Sequence, residues 1–159
     1  MKKKYKGIWF YGLSGSGKTY ISKIIKKKTK KSIIIDGDIV RKLVSTDLNY
    51  SKKHREIQIK RVLGISKIAI KSNIFPIIST VYLNKEINNI CTKDKILTVR
   101  IIRKDFQKIK RKHKTYKNKS DVVGKDIFYE KNFKTSELFN NGDKSFSENL
   151  KFFQELLII

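Results

Sequence analysis

Cysteine, proline and alanine each occur only once in this chain of 159 residues. Cys91 has no partner for an internal disulfide, so the sequence does not require an oxidising compartment, and packing is the expected role of this thiol. No apolar run approaches the roughly 20 residues that a membrane-spanning helix needs. The start, MKKKYK, is similar to the charged region of a signal peptide, but cleavage after the short apolar run that follows would destroy a glycine-rich loop. These absences predict a soluble, cytoplasmic protein.

Acidic residues are also scarce. The chain has 38 Lys and Arg against 14 Asp and Glu, which gives a formal net charge of +24. Such a charge attracts polyanions whether or not the protein evolved to bind them. Only six of the cations are Arg, while Lys, Ile and Asn, whose codons are A/T-rich, abound. Functional basic patches usually contain clustered Arg. We therefore favour a compositional origin of the charge and expect nothing beyond nonspecific electrostatic binding of nucleic acid.

Apolar runs and helical segments alternate along the chain. The runs are 8–11, 33–35, 75–81 and 96–102. Because each is followed by a segment that can be helical, the pattern predicts a parallel sheet flanked by helices. Val62, Ile65 and Ala69 recur at helical spacing between residues 51 and 73, which predicts the longest helix there.

The C-terminal part contains two segments of contrasting polarity. Residues 108–121, KIKRKHKTYKNKSD, have almost nothing to bury and predict a helix end followed by a mobile basic loop. Residues 145–159 predict a closing amphipathic helix. Its apolar positions are Phe146, Leu150, Phe153 and Leu157. We find no internal repeat or linker, so residues 1–159 are predicted to form a single domain.

The segment GLSGSGKT satisfies the pattern G-x-x-x-x-G-K-[ST] between a predicted strand and a predicted helix. The backbone N–H groups of residues 14–18 can surround phosphate oxygens, and the following helix points its positive end at the anion. Lys18 is expected to reach the outer phosphates and Thr19 to offer its hydroxyl to Mg²⁺. The motif predicts a three-layer α/β P-loop NTPase fold with ATP and Mg²⁺ as cofactors. The predicted nucleotide-binding set is Gly12, Leu13, Ser14, Gly15, Ser16, Gly17, Lys18 and Thr19.

Two carboxylates, Asp36 and Asp38, follow the second predicted strand. Residues two apart on a strand face the same side, so both are expected at the carboxyl edge of the sheet, beside the loop. One carboxylate can hold the water shell of a metal and the other can orient an attacking hydroxyl, which together suffice for phosphoryl transfer. We predict Lys18, Asp36 and Asp38 as catalytic residues, with Thr19 and Asp36 at the metal. The alternative is an ordinary turn with a helix N-cap at Asp38.

The run DGDIVRKLVSTDLNYSKKHREIQIKR, which begins at Asp36, resembles the adenylyl-sulfate kinase family. Members carry a DGD, an arginine three residues on, a D-L-x-[FY]-S segment and an R-x-x-N. Here the corresponding residues are Asp38, Arg41, the segment 47–51, and Arg55 to Gln58, with Gln58 where the family has Asn. GLSGSGKT also looks like that family's version of the loop. The resemblance implies transfer of the γ-phosphate of ATP to the 3′-hydroxyl of adenosine 5′-phosphosulfate, the activation step of sulfate assimilation.

The resemblance also implies roles for residues of the acceptor site. Asp38 would engage the 3′-hydroxyl, Arg41 and Arg55 would hold the anionic phosphosulfate, and Tyr50 would stack on the base. Gln58 would stand where the family's Asn stands. The spacing is reasonable in itself, because Arg41 lies one helical turn beyond Asp38 and guanidinium forks suit a multiply charged acceptor. The alternatives are a core position for Tyr50 and a solvated helix edge for Arg55 and Gln58.

Two departures from the family pattern bear on the acceptor. Tyr82 stands at the family's serine after the third strand, so no role of that serine carries over. The predicted basic lid, at about residues 108–121, matches the family's R-D-x-K-G-L-Y-K-K only after deletions, with Lys112 in place of the Asp. The residues that can be matched are Arg111, Lys114, Tyr116 and Lys117. Since a closing lid excludes water from phosphoryl transfer, a shorter lid can alter both substrate and rate.

Three other functions stay open at this point. A kinase of the same fold could act on another nucleotide-linked anion, a P-loop protein could bind nucleic acid, or a decayed kinase could serve as a binding partner. The hypothesis of a decayed kinase is disfavoured because the predicted catalytic and metal-binding residues are intact, namely Lys18, Thr19, Asp36 and Asp38. A zinc site has no support, because the two histidines are far apart and no Cys or His cluster accompanies them. The expected partner is a small nucleotide substrate rather than a membrane, and a homodimer is compatible with the sequence.

Overall fold

The structure is a computed structural model that describes residues 5–118, 120–127, 133–141 and 151. Within this part of the chain, five strands form one sheet in the order β2-β3-β1-β4-β5, and every neighbouring pair is parallel. The strands are β1 Gly7–Tyr11, β2 Ser32–Asp36, β3 Phe75–Thr80, β4 Ile96–Ile102 and β5 Ser136–Phe139. The four predicted strands are confirmed, with ends displaced by at most one residue. The edge strand β5 was not predicted, because its four residues contain no continuous apolar run.

Helices cover both faces of the sheet. They are α1 Lys18–Lys28, α2 Gly37–Leu43, α3 Lys52–Lys71, α4 Lys85–Lys93, α5 Phe106–Lys112 and α6 Lys114–Asn118. Successive side chains of β1 point to opposite faces, as they must in a strand, so Trp9 and Tyr11 pack with α3 and α4 while Ile8 and Phe10 pack with α1. The three-layer α/β fold predicted from the phosphate-binding motif is confirmed.

Helix α3 is the longest helix of the described residues and matches the prediction for residues 51–73. The Ser51 hydroxyl caps its first turn by accepting a hydrogen bond from the His54 backbone N–H at 3.4 Å. Val62 and Ala69 are buried against the sheet, as their spacing predicts. No helix in the described ranges is both long and apolar enough to cross a bilayer.

Cys91 lies on α4 and is completely buried in the core. Burial raises the pKa of its thiol to about 12. A thiol with so high a pKa forms almost no thiolate near neutral pH, so it is unreactive. The predicted packing role of Cys91 is confirmed.

The basic segment 108–121 differs from its prediction as a helix end with a mobile loop. Helix α5 does end at Lys112, but α6 follows after a single residue. The physical reason is Tyr116, which is buried and makes edge-on contacts with Phe106 and His113 at 5.5 and 5.9 Å between ring centroids. The segment therefore does bury a side chain. The four apolar positions of the predicted C-terminal helix lie outside the described residues.

Candidate active site

The phosphate-binding loop connects the central strand β1 to the N-terminus of α1. Gly17 is the N-cap of α1 and has a φ of 97°, a left-handed conformation that glycine adopts without strain. A Cβ at this position would also collide with Nδ2 of Asn140. The positive N-terminal end of the 11-residue helix α1 therefore lies at the loop, which is the arrangement expected of a phosphate-binding site.

Lys18 is buried beneath the loop. Its Nζ donates to the backbone oxygens of Gly12 at 2.8 Å and Leu13 at 2.9 Å, so the ammonium closes the loop on itself. Burial lowers the pKa of Lys18 to about 8, and the negative charges of Asp38 and Asp36 partly oppose that effect. The cation therefore contacts the loop and also feels the charge of both carboxylates. Its predicted contact with the outer phosphates stays a prediction.

Asp36 and Asp38 reach the same cleft, but by a different route from the one predicted. Asp36 ends β2 and is the N-cap of α2, and its Oδ1 accepts hydrogen bonds from the N–H groups of Asp38 at 2.9 Å and Ile39 at 3.4 Å. Asp38 lies in the first turn of α2, so strand alternation does not place it. Asp38 is not the N-cap either, which corrects the turn alternative. The other oxygen of Asp36, Oδ2, accepts from the Thr19 hydroxyl at 3.4 Å.

The cleft brings together ten of the residues predicted from the sequence. They are Ser14, Gly15, Lys18, Thr19, Asp36, Asp38, Arg41, Tyr50, Arg55 and Gln58. The other four predicted residues lie behind the cleft wall: the carbonyls of Gly12 and Leu13 hold Lys18, and Ser16 and Gly17 contact Asn140. The cavity measures about 200 Å³. An adjoining cavity of about 460 Å³ shares Asp38, Tyr50 and Arg55 with it, so the cleft continues past the two arginines.

Two arginines lie over the ring of Tyr50. The guanidinium carbon of Arg41 is 4.7 Å and that of Arg55 is 5.4 Å from the ring centroid, within cation–π range. Tyr50 is 41% exposed, so the core alternative is wrong. Partial burial lowers the pKa of both guanidiniums. The arrangement concentrates two cations at the mouth of the cleft, around one aromatic ring.

Backbone carbonyls hold both arginines in place. Arg41 Nη1 donates to the oxygen of Asn49 at 2.6 Å. Arg55 Nε donates to the oxygen of Tyr50 at 2.9 Å, and its Nη2 donates to the oxygen of Asp121 at 2.7 Å. Arg55 therefore joins α3 to the C-terminal end of the lid, and the alternative of a solvated helix edge is wrong for this residue.

Gln58 is 4% exposed, so the solvated-edge alternative is wrong for it as well. Its Nε2 donates to the backbone oxygen of Gly37 at 3.0 Å. Because Gly37 lies between the two aspartates, this bond ties α3 to the turn that carries them. Gln58 thus lines the cleft and helps to hold the turn that carries both carboxylates.

Sequence reasoning missed Asn140, which follows β5. Its Nδ2 donates to the backbone oxygen of Ser16 at 2.8 Å, and its own N–H donates to the oxygen of Ile102 at 2.8 Å. No local pattern marks this residue, because its partners are brought to it only by the unpredicted strand β5. Asn140 is a positioning residue for the phosphate-binding loop.

The lid residue Tyr116 was matched to the family but its contact was not foreseen. Its hydroxyl donates to the backbone oxygen of Ser14 at 3.1 Å, and burial raises its pKa to about 12. Tyr82, at the family's serine position, is buried in the core and also borders the cleft. Tyr82 therefore forms part of the cleft wall.

Comparisons with known proteins agree with this geometry. The sequence model of the adenylylsulphate kinase family matches residues 4–122. An adenylyl-sulfate kinase of Picosynechococcus sp. is 36% identical over 84 residues, which cover 50% of this chain and 48% of that protein. One from Bacteroides thetaiotaomicron is 35% identical over 100 residues, covering 58% of this chain and 50% of that protein. The chain therefore spans about half the length of these curated relatives.

Solved structures share the fold at low sequence identity. An APS kinase of Mycobacterium tuberculosis, solved in complex with AMPPNP and APS, superposes with a TM-score of 0.80 at 19% identity and covers 99% of this chain and 100% of its own. A sugar kinase from Janibacter sp. has a TM-score of 0.65 at 11% identity, covering 98% and 95%. The fold alone is thus shared by kinases with different acceptors. Because the family match extends over most of the sequence, this chain belongs to the adenylylsulphate kinase family.

Proposed function

We propose that this chain is an ATP-dependent kinase that transfers the γ-phosphate of ATP to the 3′-hydroxyl of adenosine 5′-phosphosulfate. The observation that carries the proposal is one cleft that holds a phosphate cradle, two carboxylates and two arginines around an aromatic ring. Family membership supports the same acceptor. A cradle for the donor and charged groups for the acceptor are the parts that phosphoryl transfer requires.

The donor half binds the triphosphate. The loop N–H groups and the N-terminus of α1 bind its oxygens. The Lys18 ammonium leaves the carbonyls of Gly12 and Leu13 and donates to the outer phosphates instead. Lys18 has a pKa lowered to about 8 because it is buried. A bound anion favours the ammonium form, so binding of phosphate raises the pKa of Lys18 again and keeps the side chain charged. That charge then stabilises the negative charge of the transition state.

The acceptor half orients the hydroxyl. Asp38 is exposed at the cleft and accepts the proton of the attacking 3′-hydroxyl, while Arg41 and Arg55 hold the anionic end of the acceptor. Tyr50 offers its ring to the base, since nucleobases bind against aromatic faces. Gln58 and the N-cap bonds of Asp36 keep the turn that carries Asp38 in place.

Thr19 and Asp36 fit a magnesium ion. Their side-chain oxygens lie 3.4 Å apart in the cleft, and Mg²⁺ is usually bound by one or two protein oxygens together with water and phosphate oxygens. The described residues contain no group of three or more His, Cys, Asp and Glu, so they form no all-protein metal cage. When bound, the ion neutralises charge on the transferred phosphate.

The leading rival is a kinase of the same mechanism with another nucleotide-linked anionic acceptor. Two observations favour it: Tyr82 borders the cleft where the family has serine, and the lid is shorter than the family's. Both differences lie where the acceptor would be recognised. The single domain 1–159, the homodimer and the cytoplasmic location stay predictions.

The test is to incubate the purified chain with ATP, Mg²⁺ and adenosine 5′-phosphosulfate and to measure ADP and PAPS. We expect Asp38→Asn to slow turnover by about 10²–10⁴-fold without loss of ATP binding, since it removes a proton acceptor. Lys18→Ala should lower turnover by at least roughly 10²-fold. Asp47→Asn, outside the cleft lining, is the control for a general effect of removing a carboxylate. Wild-type turnover by Asp38→Asn would contradict the role of Asp38, and turnover with another nucleotide but not this acceptor would support the rival.

A further inference from the structure

His113, between α5 and α6, lines the same cleft as the two carboxylates. A Cβ built on Gly15 would lie 3.2 Å from His113 Cδ2 and 3.7 Å from Nε2. The Nε2 edge of the ring therefore reaches the middle of the phosphate-binding loop. Gly15 has a φ of 83° and no side chain, which leaves room for this approach.

The opposite edge of the ring is already engaged. His113 Nδ1 accepts a hydrogen bond from the backbone N–H of Thr115 at 3.3 Å. A neutral imidazole whose Nδ1 is an acceptor carries its proton on Nε2. Tyr116 contacts the ring edge-on and is anchored to the loop through its bond to Ser14. Backbone and side-chain contacts together direct the Nε2–H toward the loop.

The described cationic side chains of the lid do not reach the cleft in this way. Arg111, Lys112, Lys114 and Lys117 are exposed, and none of them lines the cleft, although three of them are the residues that match the family's lid. His113 and Thr115 are the described residues of α5, α6 and their junction that do line it. A phosphate bound to the loop would therefore lie beside the His113 imidazole rather than beside one of the described lid cations.

We infer that His113 Nε2–H donates a hydrogen bond to a phosphate oxygen of the nucleotide on the loop, so that His113 is a phosphate-binding residue of the shortened lid. The inference rests on the proposed function, since it requires ATP at this loop. A hydrogen bond to a charged oxygen is stronger than one between neutral groups.

The test compares two replacements that separate the donor from the ring. His113→Phe keeps an aromatic ring beside Tyr116 but has no N–H, whereas His113→Gln places an amide N–H near the position of Nε2. Loss of a hydrogen bond to a charged group weakens affinity by roughly ten- to a hundredfold, so we expect this loss of Mg·ATP affinity in the Phe variant by calorimetry. The Gln variant should regain most of the affinity. Lys112→Gln, an exposed neighbour outside the cleft, is the matched control and should bind as the wild type does.

Kinetics add a readout that loss of packing alone would not produce. His113→Phe should raise the KM for ATP and leave the KM for the acceptor unchanged. Wild-type ATP affinity in the Phe variant, or equal weakening in folded Phe and Gln variants, would overturn the inference while leaving the proposed function intact. Failure of the wild-type chain to bind Mg·ATP would overturn both. His113→Leu replaces the Phe variant if thermal unfolding shows that the latter is not folded.

Discussion

Replacement of Asn140 by alanine should separate the architecture of the phosphate-binding loop from general stability. Asn140 is 6% exposed, and its Nδ2 donates at 2.8 Å to the backbone oxygen of Ser16, which is itself buried. The same amide contacts Gly17, the residue that begins α1. Truncation thus removes both a donor and the side chain that packs against the start of the helix.

The magnitude follows from those contacts. A lost hydrogen bond that leaves a buried carbonyl unpaired costs about 1–3 kcal/mol, and we expect the free energy of unfolding to fall by roughly 2 kcal/mol. Part of that energy holds residues 16 and 17 in the conformation that presents their N–H groups to phosphate. If the variant must spend about 1.4 kcal/mol to restore this loop conformation when ATP binds, its ATP affinity falls about tenfold.

The assay needs a buried asparagine elsewhere as its control, and Asn88 on α4 is suitable. Asn88 is 4% exposed, its Oδ1 accepts from the Thr98 hydroxyl at 2.7 Å, and its Nδ2 donates to the oxygen of Lys134 at 3.2 Å. Urea denaturation should show a similar loss of stability for Asn140→Ala and Asn88→Ala. Calorimetry with Mg·ATP should show weaker binding for Asn140→Ala alone. Equal ATP affinity in the two folded variants would refute the positioning role of Asn140.

Two further predictions concern charge in the cleft. Because the pKa of Lys18 is lowered to about 8, its ammonium predominates below that pH and is lost above it. ATP affinity measured by calorimetry should therefore fall up to about tenfold for each pH unit above 8, since the amine must then take up a proton on binding. A flat pH profile of ATP affinity in the wild type would contradict this prediction. In Arg55→Lys, one ammonium cannot replace the bonds that Nε and Nη2 make to Tyr50 and Asp121. The KM for the acceptor should therefore rise about tenfold or more, with little change in the KM for ATP. A rise in the KM for ATP alone would count against a role of Arg55 in acceptor binding.

The sequence was sufficient to predict those features that are specified by residues close together in the chain. Each of the four long strands is rich in apolar residues, and the phosphate-binding loop is a motif of eight consecutive residues, so neighbouring residues alone specify them. The resemblance of the run from Asp36 to the adenylyl-sulfate kinase family is carried by residues within a short stretch of sequence, and the family model confirms it. The extent of α3 followed from the helical spacing of its apolar residues, and the packing role of Cys91 followed from the lack of a second cysteine.

Local patterns failed where an element is defined by its neighbours in space. Asp38 was assigned to a strand by its spacing from Asp36, but the capping bonds of Asp36 start a helix at Gly37 and place Asp38 in its first turn. The lid was predicted as a mobile loop because its sequence is so basic. In the structure the buried Tyr116 of α6 is hydrogen-bonded to the phosphate-binding loop through Ser14, a contact that the basic sequence does not indicate.

The sequence by itself thus determined the fold class, the phosphate-binding loop, the family and the chemical types at the cleft. The tertiary structure decided which side chains meet there: Asn140 bonds to Ser16 across 124 residues, Tyr116 to Ser14 across 102, and Arg55 to Asp121 across 66. Contacts at such separations leave no periodic trace in the chain, because each depends on the parallel order of the strands and on the loops that this order brings to one edge of the sheet.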